Sequence, residues 1–288
     1  MSMKKKTMII CGLLATLFTS CESPVITDDE ETEDPQGNLK VSIYQIEQTP
    51  FAALTRAEAG IACSRLNFVV YDEGGTRVKY VNQTSDMANF GTASFQLPEG
   101  DYQVVVLGHS SNGNPKSTDI KKINFSNSQG YTDTFLYYSQ VTVTDEQEDL
   151  NISLNRIVSL CRFEITDDYP GDVAKLRFYY TGGSGTLDAT TGFGSVASKQ
   201  ELFFDVDPDQ KQFDLYTFLH DTEGTVHLTV TALDDSDNVL YEREFDVPMK
   251  RNQITWMTGA FFTGGGSGST GITITINTDW AGESRHNF

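Results

Sequence analysis

Asp205, Asp207 and Asp209 place carboxylates at alternate positions, as the opening of a calcium-binding loop does. Such a loop needs glycine at its sixth position and a bidentate glutamate at its twelfth. Here Gln210 and Tyr216 stand at those places and Pro208 interrupts the run, so the pattern reads as a solvated hairpin end. Gly192 to Ala197 fits G-x-G-x-x-A, the outline of a dinucleotide turn, but no helical pattern follows it. His109, His220, His227 and His286 form no H-E-x-x-H, and the chain has neither a G-x-S-x-G nor a phosphate loop ending in GK[ST]. Cys63 and Cys161 belong to no C-x-x-C or Cys/His cluster. No catalytic residue, cofactor or metal is expected.

One side chain does have a legible chemical context. Lys4, Lys5 and Lys6 precede an apolar run from Met8 to Phe18, too short to cross about 30 Å of hydrocarbon as a helix. A positive start and a short apolar stretch ending in small residues describe a secretory signal over 1–20. Leu17-Phe18-Thr19-Ser20-Cys21 resembles a bacterial lipobox, in which the Cys21 thiol takes a diacylglycerol and becomes the mature N-terminus. The alternative is ordinary cleavage nearby, with Cys21 incidental. Residues 21–37 then form an acidic tether, with Asp28, Asp29, Glu30, Glu31, Glu33 and Asp34 and almost nothing apolar to bury. The signal carries three lysines and no acid, so its loss takes the net charge from −19 to −22. Such a chain is no nucleic-acid binder, because phosphates must be met by clustered Lys and Arg. Attraction to an anionic membrane face is equally excluded, leaving the lipid to hold it.

The elements that carry the rest are strands. Leu39, Val41 and Ile43 alternate with polar residues, as do Leu66, Phe68 and Val70. Leu97-Pro98-Glu99-Gly100 is a turn that launches Asp101–Gly108, whose valines face both sides and predict burial on both. Further strands are expected at Thr118–Phe125, Thr134–Thr144, Asp149–Leu154, Ser159–Thr166 and Val173–Tyr180, then at Glu201–Val206, Lys211–Phe218, Thr225–Leu233, Val239–Val247, Gln253–Phe262 and Gly271–Asp279. About sixteen strands in 288 residues suit an all-β chain of two sandwiches, at 38–156 and 157–288. Cys161 alternates with Phe163 and Ile165, which suits a buried small hydrophobe, with a disulfide to Cys63 as the alternative. Trp256 follows Ile254 in the same way and is expected in the core. After the Gly- and Ser-rich linker 264–271, Ile272, Ile274 and Ile276 define an amphipathic strand. That strand either closes its own sandwich or is donated to a neighbour.

Several segments together resemble the fimbrial subunits of Bacteroidetes, in particular the minor-fimbrium anchor and fimbrillin-like lipoproteins. They are Arg65–Asp72, Leu97–Val106, Thr132–Tyr138, Leu154–Arg156 and Phe178–Ser184. The resemblance implies two tandem transthyretin-like Greek-key β-sandwich domains and an outer-membrane, surface-exposed lipoprotein. It also implies partners that are other fimbrial subunits, a role in cell adhesion toward a host or bacterial surface ligand, and no enzymatic activity. In shaft-forming members a protease cuts after an arginine and removes the N-terminal strand, whose groove then accepts a strand of another subunit. Leu54-Thr55-Arg56-Ala57 resembles such a processing site, against the alternative of an ordinary surface arginine in a connector. Cutting after Arg56 would part the body from a lipid on Cys21, so an uncut chain fits a basal subunit. The rival reading is a surface glycan-binding lipoprotein of a carbohydrate-uptake system, which would need exposed aromatics; Trp256 and Trp280 are the tryptophans available.

Overall fold

The computed structural model of the protein describes residues 33–49, 52–55, 63–126, 130–263 and 273–277. Among them there is no helix, and the chain is all-β as its period-two patterning requires. Seven strands build the first half: β1 (Leu39–Thr49), β3 (Arg65–Tyr71), β4 (Arg77–Thr84), β5 (Thr92–Phe95), β6 (Gly100–His109), β8 (Phe135–Val143) and β9 (Glu148–Arg156). Seven more build the second: β10 (Ser159–Ile165), β11 (Lys175–Gly183), β14 (Ser198–Asp205), β15 (Gln212–Thr217), β16 (Glu223–Leu233), β17 (Val239–Lys250) and β18 (Ile254–Gly259). Five short strands are additions to this plan: β2 (Ala52–Thr55), β7 (Ile123–Asn124), β12 (Thr186–Asp188), β13 (Phe193–Gly194) and β19 (Thr273–Asn277).

The two sets repeat one topology. In the first, β1 pairs antiparallel with β5 and parallel with β9, while β4, β3, β6 and β8 run antiparallel in that order. In the second, β10 pairs antiparallel with β15 and parallel with β18, while β14, β11, β16 and β17 run antiparallel in that order. Each set therefore folds as two sheets closed on a core. The first core takes Leu39, Val41, Ile43, Leu66, Phe68, Val104, Val106 and Ile152; the second takes Cys161, Phe163, Phe178, Leu228, Val230 and Met257.

A third core joins the repeats. Val69, Tyr71, Val105 and Leu107 point from the other face of β3 and β6 onto Ile157, Val158, Leu187, Ala189 and Phe218. This is why β6 is apolar on both sides: one face fills its own sandwich and the other meets its neighbour. The joint is sealed by the two insertions, β7 and β12, which pair antiparallel through Ile123 opposite Leu187.

Three expectations need correction. The strand expected at Thr118–Phe125 shrinks to Ile123–Asn124, because its preceding amides go elsewhere: Ile120 N–H donates to the Gly75 carbonyl beside an isolated bridge, and Lys122 N–H to the Asp119 carbonyl in a turn. β4 and β5 were not marked by alternation; Lys79, Asn82 and Gln83 break up the apolar pattern of β4. Trp256 is half-buried outside the core. It lies opposite Arg162 across the β10–β18 pair, with the guanidinium carbon 5.1 Å from its ring centroid.

Candidate assembly site

Cys21, Arg56, Ala57, Ile272 and Trp280 lie outside the described residues. The strands next to them are placed. β1 takes hydrogen bonds on both edges: β9 along one side, β5 and then β2 along the other. Leu39, Val41, Ile43 and Ile46 are at most 1% exposed. The alternation skips one residue after Ile43 because the pairing with β9 shifts register there: Ile43 lies opposite Ile152, and Gln45 opposite Ser153. Burying four aliphatic side chains contributes about 6–12 kcal/mol at about 1.5–3 kcal/mol each. That is comparable to the whole stability of a domain, so this sandwich without β1 would need a replacement strand. β2 ends at Thr55, directly before Arg56, and lies antiparallel on β1 with Leu54 opposite Ile46.

At the other end of the chain, β19 lies antiparallel on the outer edge of β18, with Ile274 opposite Met257 and Ile276 opposite Thr255. In the first repeat β9 occupies the place of β18. Among the described residues no strand pairs with its outer edge from Glu148 to Leu154; β9 meets β8 only at Asn155 and Arg156.

The joint between the repeats is built from groups the sequence did not single out. Arg156 ends β9, and its Nε and Nη2 donate to the two carboxylate oxygens of Asp133 at 2.6 and 2.7 Å. Its guanidinium carbon lies 5.0 Å from the Phe135 ring centroid. Burial raises the Asp133 carboxyl above the usual carboxylate range, with Arg156 pulling it the other way. Tyr131 reaches the second repeat, where its hydroxyl accepts from Gln200 Nε2 at 2.7 Å. A Cβ on Gly185 would fall 1.6 Å from that hydroxyl, so only glycine admits the tyrosine.

His109 is fully buried and serves this scaffold rather than any ligand. Ser111 N–H donates to Nδ1 at 3.2 Å, which places the proton on Nε2, and Nε2–H donates to Asn67 Oδ1 at 2.8 Å. Asn67 in turn donates to Asn82 and Asn114. Burial pulls the imidazole down to about 4. Asp207 Oδ1 accepts from Asp209 N–H within the exposed turn between β14 and β15. The glycine-rich run 192–197 forms the β13 side of a tight antiparallel pair with β12. No three His, Cys, Asp or Glu side chains converge to hold a metal among the described residues. Cys63 and Cys161 are not joined in a disulfide and lie buried in the first and second cores.

Two repeats of one β-sandwich topology, with unpaired strand edges among the described residues, define an all-β class of protein. Residues 30–284 match the family Mfa2, described as "Fimbrillin-A associated anchor proteins Mfa1 and Mfa2". The chain belongs to that family, which is one of fimbrial structural proteins and not an enzyme class. A candidate adhesin from Bacteroides ovatus shares the fold at a TM-score of 0.50 and 10% identity, over 82% of this chain and 92% of that one. The fimbrial anchor protein Mfa2 from Porphyromonas gingivalis is similar at a TM-score of 0.46 and 13% identity, over 86% of this chain and 99% of its own. A fimbrial assembly protein from Parabacteroides distasonis gives 0.40 and 13%, over 83% and 94%. No curated protein matches the sequence.

Proposed function

We propose that this fimbrial subunit is a basal or accessory one, held at the outer membrane by a diacylglyceryl group on Cys21 and displayed at the cell surface. Residues 1–20 direct export, 21–37 hold the body off the lipid, and the sandwiches 38–156 and 157–288 form the structural unit. Its partners are other fimbrial subunits, joined through strand addition at open sheet edges, and the assembly supports adhesion. The observation that carries this reading is the integration of β1. The strand just beyond the tether contributes four core side chains to the first sandwich, so the uncut chain has a complete fold that stays tied to its anchor. Cleavage after Arg56 would release the body, so Arg56 and Ala57 remain whole in the anchored form. Ile272, Ile274 and Ile276 are the candidate donor strand, with β18 as their own-chain alternative.

The test is Cys21→Ser in the native host. The variant is expected to leave the outer-membrane fraction and to stop retaining fimbriae on cells. Unchanged membrane retention would overturn the lipid anchor.

A further inference from the structure

Where the repeats meet, an open cleft of about 450 Å³ lies between β9 and the loop at residues 189–192. Tyr44, Tyr137 and Tyr138 line it from β1 and β8, Asn151 and Asn155 from β9, and Arg251 from the second repeat. Its lining contains no carboxylate. The chain has 40 acidic residues and a net charge of −19, yet this cleft carries a cation and no acid.

Arg251 is held in place. Its backbone N–H donates to the Thr222 carbonyl at 2.8 Å, its Nη1 donates to the Thr191 carbonyl at 3.4 Å, and its guanidinium carbon sits 4.7 Å from the Phe193 ring centroid. Gly192 makes room for it: the residue has φ 73°, and a Cβ there would fall 2.7 Å from Nη2. Among the described residues no carboxylate comes within 4.0 Å of this guanidinium. Asp188, the nearest acid along the loop, is engaged locally, accepting from the N–H and hydroxyl of Thr190. A half-buried arginine with no carboxylate beside it among the described residues favours an incoming anion, and its planar fork matches a carboxylate.

We propose that this cleft binds a carboxylate-bearing saccharide. Arg251 takes the carboxylate, the tyrosine rings cover the C–H faces of the sugar, and the amides of Asn151 and Asn155 read its hydroxyls. Tyr138 is braced for this, since its hydroxyl donates to Gln103 Oε1 at 2.9 Å, and Tyr44 is 55% exposed. A neutral sugar leaves Arg251 unanswered. An acidic peptide answers Arg251 but offers the rings no comparable apolar face. The inference goes beyond the anchoring role and holds whether or not Cys21 is lipidated, so its failure leaves that role untouched.

The test is calorimetry of the full chain in detergent with trigalacturonate and 3′-sialyllactose, against maltotriose and triglutamate. At least one acidic saccharide is expected to bind about tenfold or more tighter than both controls. Arg251→Gln should weaken that binding at least about tenfold and Arg251→Lys less so. Tyr44→Ala, on an exposed ring, should weaken it about threefold or more without moving the melting temperature. Three results would overturn the proposal: neither acidic saccharide binding at about 5 mM, triglutamate binding as tightly, or both Arg251→Gln and Tyr44→Ala binding like the wild type.

Discussion

Asp133 and Arg156 meet through both carboxylate oxygens at the point where the first repeat hands over to the second. The arginine side chain is 4% exposed and the aspartate 22%, so removing one partner strands a charge that water does not reach freely. Arg156→Met should therefore destabilise the protein by about 3–5 kcal/mol. Asp133→Asn in the same background should recover part of that loss. Denaturant titrations of the two singles and the double measure the coupling, and strictly additive effects would contradict it.

His109 makes stability depend on pH. Folded, its imidazole titrates at about 4; unfolded, it returns to its ordinary value near 6.5. Between those values the unfolded chain binds a proton that the folded chain refuses. The contribution is thus complete above about pH 6.5 and is lost as pH falls toward 4, amounting to about 3 kcal/mol. Denaturation at pH 7 and at pH 4.5 should show wild type losing more stability than His109→Gln, in which the amide can still donate to Asn67. Equal losses would place the acid sensitivity elsewhere.

Burial pushes the Cys63 thiol up to about 12 and the Cys161 thiol higher still, so neither is a nucleophile under native conditions. A thiol reagent should label neither in the native mature chain and both in denaturant. Rapid native labelling, or no labelling after unfolding without reductant, would contradict two buried core thiols with no disulfide between them.

Adjacent residues of β1 should differ sharply. Ile43 is 1% exposed in the first core and Tyr44 is 55% exposed. Ile43→Ala should cost about 2–4 kcal/mol, and Tyr44→Ala about 0.5 kcal/mol or less. Similar small costs for both would mean that β1 is not part of the sandwich.

Much of this architecture was legible because strands advertise themselves by alternation. Cys161, Phe163 and Ile165 share a core, and the doubly apolar β6 is doubly buried. What alternation cannot carry is pairing. β1 meets β9 across about a hundred residues, and the repetition of one topology resides in which strands bond, with little local signal to reveal it. The joint was invisible for the same reason: Tyr131 meets Gly185 and Gln200, and Asp133 meets Arg156, across separations that no local pattern marks. Trp256 misled because its strand is buried at neighbouring positions, so period two alone did not choose its face. The binding cleft was hidden too, since Tyr44, Asn151 and Arg251 converge from three distant elements.

The most direct test of the anchoring account is the intact mass and N-terminal state of the mature protein taken from outer membranes. The account predicts a diacylated chain that begins at Cys21 and retains Arg56 and Ala57. A chain that begins at Ala57 would contradict it, because β1 would then be gone and the first sandwich would have to be completed by a strand from another subunit.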